Sequence, residues 1–155
     1  MKTLILAIGK LRGPEAAWCD EYLKRLGKTV EVRAFTVSSS LPPLEAQKAE
    51  AQLLLKAIPE KSFVVLLDER GRTLTSPDLA NKLTQWHARG TVTFIIGGPD
   101  GVTEEIKTRA DFTMCFGAMT WPHKLARVML LEQLYRAQQI QAGHPYHRSG
   151  LGSDP

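Results

Sequence analysis

Apolar positions along the chain fall into two alternating kinds of run. TLILAIG (3–9), VEVRAFTV (30–37), SFVVLLD (62–68), TVTFIIG (91–97) and DFTMCFG (111–117) are short and rich in Val, Ile, Phe and Thr, a composition that suits strands. Several are apolar at consecutive positions, as in a parallel sheet covered on both faces. Between them, 14–26, 43–57, 77–88 and a shorter 102–109 carry helical spacing, and a long helix follows from about 122 to 142. This order predicts an α/β fold, a single domain with a mostly parallel sheet flanked by helices.

The punctuation agrees. Pro14, Pro77 and Pro122 stand where a first helical turn tolerates a missing N–H, and Ser76 and Thr120 are available as caps just ahead of two of these helices. Gly27, Gly90 and Gly143 are candidate C-caps. SSSLPP (38–43) reads as a surface loop, and residues 149–155 read as a disordered tail beyond a domain spanning 1–148. In the long helix Leu125, Val128, Met129, Leu131, Leu134, Tyr135, Ala137 and Ile140 recur at helical spacing, the pattern of a core face. Ala126 and Leu130 widen that arc, which predicts a helix shared with a second copy, hence a homodimer.

Composition changes this picture little. The 155 residues are one domain's worth, and 43% hydrophobic residues suffice for a core. A formal charge of +4 is mild, so a polyanionic partner has to be met by a local patch. Cys19 and Cys115 lie far apart inside apolar segments with no partner at metal spacing, which predicts buried reduced thiols and no metal site. The N-terminal MKTLILAIGK reads as a first strand and not as a signal peptide. No apolar stretch approaches the roughly 20 residues that span a bilayer. A soluble, cytoplasmic protein is expected.

Candidate chemistry gathers at three strand ends and in the C-terminal third. LLDERGR (66–72), IIGGPDG (95–101) and CFGAMTWPH (115–123) all follow strands, and ligands of open parallel sheets lie beyond such carboxyl ends. GGPDG is ordinary turn chemistry taken alone. It lacks the Lys and Ser/Thr of a P-loop and does not match GxGxxG, which disfavours a phosphate cradle and leaves bare amides and carbonyls for a ligand with adenine-like edges. From Trp121 to Arg148 the chain carries Lys124, Arg127, Arg136 and Arg148 with three of its four histidines and Tyr135 and Tyr146. That is either a solvated face or a patch for phosphates with rings that stack on an exposed base.

The series IIGGPDGV, FGAMTWPHKLARVMLLEQLYRAQQI and HPYHR, with AIGKL, EYLKRL and LLDERGR before it, resembles the SPOUT-class RNA methyltransferases of the RlmH type nearly end to end. The resemblance implies methylation of N3 of a pseudouridine in bacterial large-subunit ribosomal RNA, with S-adenosylmethionine as methyl donor. It also implies a homodimer and a C-terminal trefoil knot, which periodicity cannot reveal. Carried over by motif, Leu67, Gly97, Gly98, Phe116, Gly117, Ala118, Met119, Thr120 and Trp121 hold the cofactor, the glycine turn giving room for adenosine. His123, Tyr146, His147 and Arg148 stand on the substrate side, the tail completing the partner subunit's site. SGLGSDP follows the HR pair, where such chains usually stop.

A sulfonium methyl is a strong electrophile, so the reaction needs an in-line approach and a deprotonated imide nitrogen more than a metal. His147 is the first candidate for the base, with Arg148 as electrostatic partner, and His123 the second. Two rivals remain at this level. A noncatalytic RNA-binding module needs basic residues but no cofactor cleft. A nucleotide-dependent oxidoreductase needs a glycine fingerprint after the first strand, where AIGKLRGP offers only Gly9 and Gly13.

Overall fold

A computed structural model describes residues 1–148. The expectation of disorder for 149–155 lies outside the described residues. In chain order the elements are β1 (Thr3–Ile8), α1 (Pro14–Leu26), a 3-10 turn (Gly27–Thr29), β2 (Val30–Phe35), α2 (Pro43–Ala57), β3 (Ser62–Thr73), α3 (Ser76–His87), β4 (Thr91–Ile96), α4 (Glu104–Arg109), β5 (Phe112–Cys115) and α5 (His123–Gln141). The strands form one parallel sheet in the order β2-β1-β4-β3-β5.

Strand alternation splits the core into two layers. On β1, Ile5 and Ala7 face α1, α3 and α5, meeting Cys19, Leu83, Leu131 and Leu134. Leu4, Leu6 and Ile8 point the other way, toward Ala51 and Leu54 of α2 and Ile106 of α4. Both faces being covered is why the strands read as continuous apolar runs. Cys19 and Cys115 are buried and free, as expected.

Four details differ from the sequence reading. The third strand runs on to Thr73, past the charged DERGR that suggested its end: pairing with β5 breaks after Leu67 and resumes at Arg72, both opposite Met114. The excursion 68–71 folds over β5, and a Cβ on Gly71 would stand 2.6–2.7 Å from the Met114 backbone, so only glycine fits there.

The cap of α3 is Thr75 and not Ser76. Thr75 Oγ1 accepts from the Asp78 N–H while Asp78 Oδ2 accepts from the Thr75 N–H, a capping box. Ser76 Oγ instead donates to Gln133 Oε1 on α5 at 2.6 Å. Thr120 does not cap either: α5 starts after Pro122 with no side-chain cap.

Leu130, the residue that widened the α5 arc, is completely buried within the chain, between the sheet and the neighbouring helices. It therefore does not argue for a second subunit. Leu125, Ala126, Met129, Tyr135 and Ile140 are partly buried on the same helix, the last two packed against the chain's own core. At the far end Gly143 and His144 donate to the Ile140 and Gln139 carbonyls, a Schellman closure of α5.

Candidate active site

Because β3 lies between β4 and β5, their carboxyl ends are neighbours. The loops after them enclose a cavity of about 310 Å³, lined by 67–70, 96–99, 101–102, 114–117, 119–121, His123 and Ala126. Leu67, Gly97, Gly98, Phe116, Gly117, Met119, Thr120 and Trp121, expected from the sequence to hold a cofactor, all line it. Ala118 does not; it is exposed on the same loop.

The glycine turn is closed by a Gly101 N–H to Gly98 carbonyl bond of 3.0 Å. From α2, Gln47 Nε2 donates to the Asp100 carbonyl at 2.9 Å. The glycines are required by what stands behind the turn. A Cβ on Gly97 would lie 2.6 Å from Val102 Cγ1, and one on Gly98 would lie 3.1 Å from Ile8 Cγ2 and 3.2 Å from both Glu50 oxygens. The space these glycines leave is filled by the protein's own side chains, and the turn offers the cavity its backbone.

Glu50 was not singled out from the sequence. It is 7% exposed, its Oε1 has no hydrogen-bond partner, and burial, with Asp100 nearby, raises its pKa above the usual carboxyl value. The signal was present: a carboxylate one position before Ala51 and four before Leu54, on the face of α2 that packs on the sheet.

Across the cavity mouth, Thr120 Oγ1 donates to Glu69 Oε2 at 2.8 Å, tying the loop after β5 to the β3 excursion. Trp121 Nε1 donates to the Phe116 carbonyl at 3.3 Å. Met119 is 74% exposed at the rim.

His123 opens α5 at the cavity wall. Burial first, then the charges of Arg127 and Lys124, hold its pKa below the ordinary histidine value, so the imidazole is neutral near pH 7. Arg127 is buried, and its Nη2 donates to the Ile8 carbonyl at 3.2 Å and the Gly9 carbonyl at 2.7 Å, locking the end of β1 against α5.

The tail residues do not line this cavity. The Tyr146 ring meets Tyr135 edge-on at 4.9 Å, with the Arg136 guanidinium 4.9 Å from its centroid. His147 Nδ1 lies 3.2 Å from Arg136 Nη1. A guanidinium only donates, so Nδ1 accepts and the neutral ring carries its proton on Nε2. In this position His147 has no free lone pair for catalysis. Arg148 is exposed.

A second cavity of about 510 Å³ lies on the α5 side of β5, lined by Tyr22, Leu74, Val128 and Met129 among others and sharing residues 114–117 with the first. Among the described residues no cluster of His, Cys, Asp and Glu is placed to hold a metal, and no helix is long and apolar enough to cross a membrane.

A parallel sheet with a cleft beyond its carboxyl ends, floored by a glycine turn, defines an α/β ligand-binding enzyme. The family described as Predicted SPOUT methyltransferase matches residues 1–147, and the chain belongs to that family of methyltransferases. Among its relatives, the ribosomal RNA large subunit methyltransferase H of Rhodospirillum centenum is 44% identical over 152 residues, covering 96% of this chain and 100% of that protein. The proteins of the same name from Ruegeria pomeroyi and Rhodospirillum rubrum are 46% and 47% identical, again over 96% of this chain and 99% and 100% of theirs. A solved structure of a probable methylase family protein from Haemophilus influenzae Rd KW20 shares the fold, with a TM-score of 0.56 at 14% identity, over 97% of this chain and 72% of that one.

Proposed function

We propose that this methyltransferase uses S-adenosylmethionine to methylate N3 of a pseudouridine in large-subunit ribosomal RNA, working in the cytoplasm as a homodimer. One observation carries the reading: eight of the nine residues expected to hold the cofactor line a single cavity, with His123 on its wall. The names of the relatives at 44–47% identity support ribosomal RNA as the substrate.

The residues present suit the cofactor. The turn 97–101 presents backbone free of side chains at Gly97 and Gly98 to an adenine edge, and Leu67, Phe116 and Met119 supply apolar surface for the ring and the thioether. Bound there, S-adenosylmethionine supplies an electrophilic methyl group. The Thr120–Glu69 bond holds two walls of the cleft together at its mouth. Family membership and the close passage of 68–71 over Met114 support a trefoil knot through this region.

Removal of the imide proton falls to a neutral imidazole, and His123 is the histidine of this chain that offers one at the cavity. The tail supplies Tyr146, His147 and Arg148 to the cleft of the second copy, where His147 leaves Arg136 and regains a free nitrogen. Leu125, Ala126 and Met129, the partly exposed apolar residues of α5 not packed against the core, are the surface for that copy. Light scattering at micromolar concentration checks this: a dimeric mass is expected, and a monomeric one excludes a shared site.

The activity is tested by incubating the protein with radiolabelled S-adenosylmethionine and a large-subunit ribosomal RNA, free and in assembled ribosomes. Label on a single pseudouridine is expected. No label on either substrate overturns the reading.

A further inference from the structure

A carboxyl group buried without a partner costs stability, because its solvation is lost and nothing replaces it. In Glu50 this applies to Oε1, which is buried and has no hydrogen-bond partner. Glu50 sits beside Ala51 and one turn before Leu54, both almost fully buried on the sheet-facing side of α2. There an apolar side chain would pack at no such cost. Around this cluster β1 contributes Ile8, β2 Phe35 and α4 Ile106, none of them charged. The titratable group that acts on it is Asp100, on the glycine turn itself, and the sign is repulsive.

The orientation of Glu50 is specific. Both of its oxygens lie 3.2 Å from the point where Gly98 would carry a side chain, directly behind the backbone that lines the cofactor cleft. One turn earlier on α2, Gln47 already holds the same turn through the Asp100 carbonyl. Two polar side chains of one helix thus address one loop, one with its hydrogen bond made and one with a buried oxygen still unpaired.

We propose that Glu50 is a positioning residue for the methyl donor: its buried carboxyl seats the Gly97–Gly101 turn from behind and takes a backbone N–H of that turn as its partner when the cleft is filled. The inference rests on the cofactor reading above. Glu50 touches the cofactor only through Gly98, so its effect is on binding geometry.

The test uses the full chain with Glu50→Leu and Glu50→Gln, following thermal stability without ligand and S-adenosylmethionine affinity by calorimetry. Leu keeps the bulk and removes the acceptor; Gln keeps an acceptor. Glu50→Leu is expected to raise Tm while weakening binding by roughly tenfold to a hundredfold, the range for losing a hydrogen bond to a charged group. Glu50→Gln is expected to raise Tm and keep affinity close to wild type. Opposite signs for stability and affinity are what a purely structural residue cannot produce. Unchanged affinity in Glu50→Leu, or a fall in both quantities together in both variants, overturns the proposal. Failure of wild-type protein to bind S-adenosylmethionine would instead overturn the cofactor reading beneath it.

Discussion

Gly98 stands between the cavity on one side of the glycine turn and α2 on the other. Its place in IIGGPDG marked it as a cofactor contact, and it does line the cavity. Yet the side chain it lacks would have met Ile8 and Glu50. Gly98→Val therefore presses on the core from the turn, at a cost of about 1–3 kcal/mol for overpacking. Denaturation should show that loss together with weakened S-adenosylmethionine binding by calorimetry; full stability with lost binding would mean that the valine points into the cleft. The distinction between the two was invisible in sequence, because it depends on which side of the turn α2 occupies.

Among the elements, α5 carries the most varied duties. Its N-terminus brings His123 to the cavity, its middle fills the core through Leu130, Leu131 and Leu134, and its end is closed by Gly143. Leu130→Ala is expected to destabilise the chain by about 2–5 kcal/mol, the cost of a cavity at a fully buried leucine, measured by chemical denaturation. The same variant should leave the mass in light scattering unchanged, because Leu130 faces inward. Beyond the helix, truncation after Gly143 removes Tyr146, His147 and Arg148 while sparing every residue of the cavity. Cofactor affinity is expected to survive and methyl transfer to vanish. Full labelling of the RNA by the truncated chain would show that the tail has no part in the reaction.

For the molecule as a whole, His87 and Glu50 contribute to the pH dependence of stability with opposite signs. His87 is half-buried, with Nε2 3.0 Å from Thr3 Oγ1 and Nδ1 without a partner. Burial is the main cause that holds its pKa below the ordinary 6.5. A depressed histidine contributes stability above its unfolded pKa and loses it as pH falls through the folded value. Glu50, with its pKa raised, acts oppositely: stability is lost as pH rises from the ordinary carboxyl value through the folded one. Stability should therefore decline below about pH 6.5, and His87→Gln should flatten that limb in denaturation curves recorded at successive pH values. An unchanged acid limb in His87→Gln would show that His87 is not its source; His123, depressed in the same direction, is the next residue to replace.

Local pattern alone determined the element order, the parallel sheet and the three loops that carry the site. Each of these follows from side-chain periodicity, from glycine and proline stereochemistry, and from covered strands being apolar throughout. The same residues, read as a resemblance, pointed to the family. Tertiary structure decided what depends on distance between remote segments. It extended β3 to Thr73, because the strand resumes pairing only where β5 is present to receive it. It turned Leu130 inward, since helical spacing defines an arc but not which part of that arc meets the sheet. It also placed a buried acid behind the glycine turn and left the tail against Arg136, contacts between residues 48 and 11 positions apart that no local pattern encodes.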